Sequence, residues 1–267
     1  MKIEVLISTM HQSNMDIFSK MNIKSDALAV NQCDHEYRVE RVINNCNVFR
    51  MISLFDRGLS KSRNLAIHNS SADICVIADD DLFYENNYVE IIIEAYKKNP
   101  DADIIAFSVP SSNKERPTKI LKKTNVNVLQ SMKLASFQLT FRRKRIVDNQ
   151  ISFNTLFGAG SIYVCGEENI FLIECFRKGL KVKFVNIRIA SVDHKESTWF
   201  QGFNELYLKT KGAMFYEMSS TFWLPLILQF AIRKYKLYQS SFSLLNAMKY
   251  LFKGGFEYKS ILLKGKV

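Results

Sequence analysis

Short apolar runs alternate with helix-like segments along most of the chain. Runs rich in Val, Ile and Leu predict strands at 3–7, 28–30, 74–78, 104–109 and 182–189. Between them, apolar spacing and capping residues predict helices at 60–68, with Ser60 as cap, at 88–98, with Asn86 or Asn87 as cap, and from Glu167 to Lys178. Strands that alternate with helices predict an α/β domain built on a mostly parallel sheet.

The pattern becomes less regular in two places. Residues 111–148 are basic and show no clear period, and after residue 200 the apolar run 222–232 contains Pro225 and Gln229. We therefore divide the chain into a domain at 1–200 and a helical extension at 201–267. The extension carries ten basic and three acidic residues. Residues 222–236 suit an interfacial helix on a membrane, and equally a helical cap on the domain or a subunit contact.

Composition narrows the class of protein. The chain has 267 residues, 47% of them hydrophobic, and five cysteines without Cys-x-x-Cys spacing, which favours a reducing cytoplasm. No signal peptide is predicted, and no apolar run reaches the roughly 18 residues of a spanning helix. We expect a cytoplasmic protein, or one that lies peripherally on the inner face of the cell membrane.

The net charge of +11 suits anionic lipid or phosphate-bearing substrates. Nucleic acid is the least favoured partner, because the chain has no recognised nucleic-acid motif.

Three consecutive aspartates follow a buried strand. Asp79, Asp80 and Asp81 come directly after the apolar run 74–78. Carboxylates crowded at one strand end repel each other, and a hard divalent cation such as Mg²⁺ or Mn²⁺ relieves that repulsion. Side chains alternate along a strand, so Asp79 and Asp81 can share a face. The alternative is a solvated acidic turn.

Other polar pairs follow neighbouring strands. Ser8 and Thr9 come after the first strand, and Asn31 and Gln32 come after the second. Ligands of α/β sheets bind at the carboxyl ends of the strands. These pairs and the aspartates should therefore converge on one edge of the sheet.

Four motifs follow one another along the chain: the first strand, the segment from Gly58 to Asn64, the strand that ends in the aspartates, and Gly166-Glu167-Glu168 before a helix. In this order they resemble the motifs of family 2 glycosyltransferases with the GT-A fold, in particular those that build bacterial capsule and O-antigen polysaccharides. The resemblance spans roughly residues 1–196. It implies a GT-A nucleotide-sugar-binding domain, with helices on both faces of its sheet, followed by the helical extension.

The resemblance also implies an activity. It is the metal-dependent, inverting transfer of a sugar from a nucleotide-sugar donor to a hydroxyl of a saccharide acceptor. In our interpretation the donor is a UDP-sugar, and in many relatives the acceptor is lipid-linked. In such enzymes the aspartate motif holds Mn²⁺ or Mg²⁺ on the donor diphosphate. Carried over, Asp81 contacts the metal and Asp79 contacts the metal, the donor sugar or the ribose. Asp80 stays an alternative to Asp81 in the functional pair with Asp79.

Nucleotide contacts follow from the same resemblance. Arg63 and Asn64 match the family's Ala-Arg-Asn element, with Ser62 in place of alanine. Arg63 would reach the base or the phosphates, or lie on the helix surface as an ordinary arginine. The pairs Ser8-Thr9 and Asn31-Gln32 would line the nucleotide pocket. Both pairs depart from the usual family residues, which leaves the identity of the base open.

Glu168 is the candidate catalytic base, because it matches the second acid of the family's Glu-Asp motif. Glu167 is the alternative base, and both can be ordinary acids at a helix N-terminus. His194 matches a histidine that completes the metal shell in many relatives, or it is a surface histidine. Trp199 and Phe200 can stack on an acceptor sugar or belong to the core.

A protein of another class remains an alternative to the enzyme. It is a catalytically silent nucleotide-sugar-binding protein, or a membrane-associated scaffold, with the same fold. A nucleotidyltransferase is disfavoured, because no glycine-rich phosphate loop follows the first strand.

Overall fold

The computed structural model describes residues 1–34, 37–44, 46–112, 117–193 and 202–265. Its strands are β1 Ile3–Met10, β2 Asp26–Gln32, β3 Arg38–Asn44, β4 Asn47–Leu54, β5 Ile74–Asp79, β6 Leu82–Tyr84, β7 Ile104–Ser108, β8 Leu139–Arg142, β9 Val182–Arg188 and β10 Ala190–Val192. Its α-helices are α1 Ile17–Lys20, α2 Leu59–Asn69, α3 Tyr88–Lys98, α4 Val128–Ser131, α5 Arg143–Asp148, α6 Glu167–Arg177, α7 Glu205–Met218, α8 Trp223–Tyr238 and α9 Leu244–Lys264.

A mixed sheet forms the centre of the molecule. Its eight strands lie in the order β3-β4-β2-β1-β5-β8-β7-β9. The pairs β4-β2, β2-β1, β1-β5 and β7-β9 are parallel, whereas β3-β4, β5-β8 and β8-β7 are antiparallel. A separate two-stranded antiparallel sheet joins β6 to β10. The mostly parallel centre is the arrangement that the alternation of elements predicts.

Helices cover both faces of this sheet. On one face, apolar side chains of β1, β2 and β5 pack against α1 and α3, with Phe18, Tyr88 and Ile92 fully buried. On the other face, alternate residues of the same strands pack against α2 and α6, where Phe171 and Cys175 are buried. Both faces are therefore apolar, which explains why β1, β2 and β5 appear as continuous apolar runs.

The register of the parallel strands brings the polar pairs together. Ser8 in β1 lies opposite Val30 in β2 on one side and opposite Asp79 in β5 on the other, and Thr9 lies opposite Asn31. The predicted convergence on one sheet edge is confirmed. Strands β1 and β2 are longer than predicted, because Ser8 and Thr9 lie among the last three residues of β1, and Asn31 and Gln32 are the last two of β2.

Three local predictions differ from the structure. The segment 111–148 holds a central strand, β8, and the short helix α5. The antiparallel pair β3-β4 was not predicted at all. Ser60 does not cap α2, since Gly58 precedes the helix with φ +125° and the Ser60 hydroxyl donates to the carbonyl of Phe157 at 2.6 Å.

The last three helices form a unit with its own apolar cluster. Trp223, Ile227, Ala231 and Tyr238 of α8 are buried with side chains of α7 and α9, and Phe157, Tyr163 and Ile170 join them from the sheet domain. Helices α7 and α9 cross at glycines, because a Cβ on Gly212 would lie 1.8 Å from the Leu251 carbonyl oxygen. None of the described helices has the length and apolarity needed to cross a membrane.

Candidate functional site

The three aspartates lie in different surroundings at the end of β5. Asp79 is the last strand residue and is about one-third exposed (32%). Asp80 is exposed and accepts a hydrogen bond of 2.6 Å from the hydroxyl of Thr9. Asp81 is half-buried, and its carbonyl accepts from the backbone of Asp193 at 3.0 Å. Strand β10, which leads to Asp193, thus ends beside the aspartates.

The charge on these carboxylates suits a cation. Burial, and then the negative charges of Asp79, Asp80 and Asp193, raise the pKa of Asp81 to about 7. Carboxylate oxygens are the donors that Mg²⁺ and Mn²⁺ prefer, so the residues fit such an ion. Within the described ranges, no three His, Cys, Asp or Glu side chains are already arranged around a common metal position. His194, the predicted histidine ligand, lies outside the described residues, as do Trp199 and Phe200.

Arg63 lies at the centre of the site. Its guanidinium is 1% exposed and donates to Asp79 Oδ1 at 2.9 Å, to Glu167 Oε1 at 2.9 Å and to Ser136 Oγ at 2.8 Å. Its Cζ lies 5.3 Å from the ring centroid of Phe153. Burial disfavours the charged form, but the two carboxylates outweigh that effect and raise the pKa of Arg63. The alternative of a surface arginine is wrong. A contact with donor phosphate stays a prediction, because this guanidinium contacts carboxylates here.

The two glutamates at the start of α6 lie in different surroundings. Glu167 is buried and held by Arg63. Glu168 is half-buried, and burial together with the Glu167 charge raises its pKa to about 8, while Lys211 and Arg63 act in the opposite direction. A raised pKa in a cleft with mixed charges is typical of groups that exchange protons. The pKa of Glu168 therefore suits proton exchange, and its role as the base stays a prediction.

Two further residues lie beside Glu168 and were not found from the sequence. Lys211 and Tyr207 come from α7, with the Lys211 Nζ 5.3 Å from the Tyr207 ring centroid. Burial raises the pKa of Tyr207. Burial also disfavours the charged form of Lys211, but interactions with Cys165, Tyr207 and Glu168 outweigh that effect and raise the pKa of Lys211. No local pattern in the sequence marks Lys211, because its place beside Glu168 depends on the packing of α7 against α6.

The other predicted nucleotide residues mainly hold the strand ends and loops together. Ser8 Oγ accepts from Ser62 Oγ at 2.8 Å, and Asn31 exchanges two hydrogen bonds of 2.9 Å with the backbone of Gln12. Gln32 Oε1 accepts from the Gly58 amide at 2.7 Å. Asn64 exchanges two bonds of 2.8 Å with the backbone of Phe153. Contacts of these residues with a nucleotide remain predictions.

A cleft of about 400 Å³ lies beside α2. Gln32, Ser62 and Asn64 contribute to its lining, together with Lys61 and His68. The aspartates and Glu167-Glu168 do not line it. The acidic site is therefore a separate place at the strand ends, and chemistry that requires carboxylates belongs there.

Comparison with known families agrees with this site. The model of Glycosyl transferase family 2 matches residues 37–163, which include Arg63 and the three aspartates. Residues 37–163, a little under half of the chain, thus match this family. This family consists of enzymes, and its matched segment runs from β3 to the loop before α6. No curated protein matches the chain.

Similar solved structures show that this chain has the GT-A fold. Its relatives include S. aureus TarS 1–349 in complex with UDP, with a TM-score of 0.63 and 14% identity over 95% of this chain and 81% of that one. For TarS 1–349 in complex with UDP-GlcNAc, the TM-score is 0.61 and the identity is 16%, over 81% of this chain and 66% of that one. For TarS 1–349 alone, the TM-score is 0.59 and the identity is 14%, over 81% of this chain and 65% of that one.

Proposed function

We propose that this chain transfers a sugar from a UDP-sugar to a hydroxyl of a saccharide acceptor, with inversion at the anomeric carbon. The observation that carries the proposal is the bridge formed by Arg63. It joins Asp79, on the strand-end side, to Glu167, on the helix that carries Glu168. The buried guanidinium thus holds the strand-end aspartates, which bind the donor in this proposal, close to the helix that carries the proposed base. The UDP and UDP-GlcNAc complexes of TarS support the choice of donor.

Glu168 accepts the proton in this reaction. As the acceptor hydroxyl attacks the anomeric carbon, a new C–O bond forms, the bond to the diphosphate breaks, and Glu168 takes the hydroxyl proton. The helix N-terminus favours its ionised form, which a base requires. Glu167 serves a different purpose, because its carboxylate is buried against Arg63 and fixes the start of α6. A single displacement of this kind inverts the anomeric centre.

The aspartates hold the donor. Asp81 and Asp79 are the proposed ligands of Mn²⁺ or Mg²⁺, and the ion would neutralise negative charge on the leaving diphosphate. Asp80 is held by Thr9 at the rim and orients the strand end. Since Asp79 already contacts Arg63, the half-buried Asp81 is the stronger candidate for direct metal contact.

A lipid-linked acceptor and a role in bacterial surface polysaccharide synthesis complete the proposal, with the protein on the cytoplasmic side of the membrane. Helix α8 supports it. Leu224, Leu228 and Ile232 are exposed at four-residue spacing, so they form one stripe, and Arg233 and Lys236 lie beside it. The helix contains no acidic residue. An apolar stripe with basic neighbours suits an anionic bilayer surface.

The test is hydrolysis and transfer with a panel of UDP-sugars, with Mn²⁺, with Mg²⁺ and with EDTA. We expect activity that requires a divalent ion and disappears in Asp81→Ala. A wild-type protein that neither binds nor turns over any nucleotide sugar would overturn the proposal. Donor binding without hydrolysis or transfer to any acceptor would instead support the catalytically silent protein.

A further inference from the structure

Helix α7 lies against the start of α6. A Cβ on Gly166, which precedes Glu167, would be only 2.6 Å from the Met214 sulfur, so glycine allows the two helices to approach. The Thr210 hydroxyl accepts from the backbone amide of Val164 at 3.3 Å. The middle of α7 therefore packs on the residues that lead into the acid pair. The helical extension contributes directly to the walls of the site.

Lys211 carries a positive charge into this contact. Its Nζ lies 3.8 Å from the Met214 sulfur and 5.3 Å from the centroid of the Tyr207 ring. In the described ranges, no carboxylate oxygen lies within 4.0 Å of this Nζ, in contrast to Lys209 on the same helix, which pairs with Glu205 at 2.8 Å. The Lys211 charge acts on Glu168 through space, and it favours the carboxylate form.

We infer that Lys211 is a positioning residue for the transfer reaction: its ammonium group, placed by α7 at the start of α6, favours the ionised form of Glu168, which accepts the proton. The inference rests on the proposed role of Glu168 as base. It makes the helical extension part of the active site. The chain thus needs residues from both sides of position 200 for the same proton transfer.

The other groups around Glu168 leave this role to Lys211. Glu167 adds a negative charge that opposes ionisation, and Arg63 is already bonded to Glu167 and Asp79. Burial raises the pKa of the Cys165 thiol and of Tyr207, so both are neutral near pH 7. Lys211 is the nearby cation whose charge is not shared with a carboxylate in the described part of the chain.

The experiment compares pH profiles of kcat for three variants and the wild type, from about pH 5.5 to about pH 9.5. Lys211→Met removes the charge and keeps a side chain of similar length, and Lys211→Arg keeps the charge. Lys209→Met is the matched control, because it removes one charge from the same helix. In Lys211→Met the acid limb should move up by about 0.5–1 pH unit. Its rate near pH 6.5 should fall about three- to tenfold and recover at high pH. The other two variants should keep the wild-type limb.

Two results would overturn the inference. One is an unchanged acid limb in Lys211→Met, and the other is a loss of rate that is equal at every pH, which is typical of a structural defect. Absence of any transfer by the wild type would instead overturn the proposed function. In that case, a ¹³C NMR titration of the Glu168 carboxyl, assigned with Glu168→Gln, still decides the point. The Lys211→Met substitution must raise the titration midpoint of Glu168 for the inference to hold.

Discussion

At the scale of single residues, the site depends on how two neighbouring glutamates are separated in role. Glu167 gives its charge to Arg63, and Glu168 keeps a carboxyl whose pKa is raised to about 8. The two acids are adjacent in sequence but point to different partners. Because Glu167 is occupied by its ion pair with Arg63, Glu168 is the acid that remains for proton transfer in the proposed reaction.

Replacing Glu168 by glutamine should abolish transfer and leave donor binding close to normal. It should also change stability with pH. The pKa of Glu168 is higher in the folded state than in the unfolded state, so protonated Glu168 favours folding. The free energy of unfolding of the wild type therefore decreases as pH rises from about 4.5 to about 8. Glu168→Gln should therefore be more stable than the wild type at pH 9 and similar near pH 5, measured by urea unfolding. Lower stability of the variant at pH 9 would contradict this account of Glu168.

Arg63 should be among the most sensitive positions for stability. Arg63→Met leaves the buried Glu167 and the partly buried Asp79 without their cation, and breaking a buried pair of this kind costs about 3–5 kcal/mol. Urea unfolding measures the loss. Arg188→Met is the control, since Arg188 pairs with Glu85 at 2.6 Å on the exposed surface and should cost less than about 1 kcal/mol. Equal losses in the two variants would show that the bridge is not a principal support of the site.

At the scale of elements, the sequence predicts the longer apolar strands well, and it predicts exposed or very short strands poorly. The β5 run is apolar on both faces, so its pattern is visible locally. In β3 all residues but one are exposed, and β8 has only four residues and pairs with β5 and β7, which lie far away in the chain. Such strands depend on their partners more than on their own residues.

The same reason limits what the sequence says about the site. The strand-end aspartates and the glutamate pair were predicted, because each follows a local pattern. The burial of Arg63 was not, since its partners Asp79 and Glu167 lie 16 and 104 residues away. Lys211 was missed because only packing of α7 on α6 brings it to Glu168. The boundary at 200/201 stays a prediction.

The crossing of α7 and α9 should not tolerate a methyl group. A Cβ on Gly254 would lie 2.0 Å from the carbonyl oxygen of Lys209, and neither backbone can move without separating the helices. We expect Gly254→Ala to lower the free energy of unfolding by at least about 1–3 kcal/mol. Thermal unfolding measures the change. Gly265→Ala is the control, because the nearest atom to its Cβ is 3.6 Å away. An unchanged melting temperature in Gly254→Ala would show that the helices separate easily.

At the scale of the whole molecule, the α8 stripe should determine membrane binding. The 267-residue chain should float with vesicles of phosphatidylglycerol and phosphatidylcholine, and less with phosphatidylcholine alone, because each basic residue near anionic lipid contributes about 1 kcal/mol. The double substitution Leu228→Asp, Ile232→Asp should abolish flotation. Leu129→Asp changes a leucine of α4 that is more exposed than Leu228 or Ile232, and it should have no effect. If the wild type does not float with either vesicle, α8 faces a protein or solvent.

The Arg63 bridge also has an evolutionary consequence. Losing the arginine alone leaves two acids in a buried place, and losing either acid alone leaves a buried cation with fewer partners, so single changes at positions 63, 79 and 167 each pass through a less stable protein. Lineages descended from this chain should therefore change these positions jointly or keep all of them. A silent descendant that replaces all of them with apolar residues could lose the chemistry and still retain the fold.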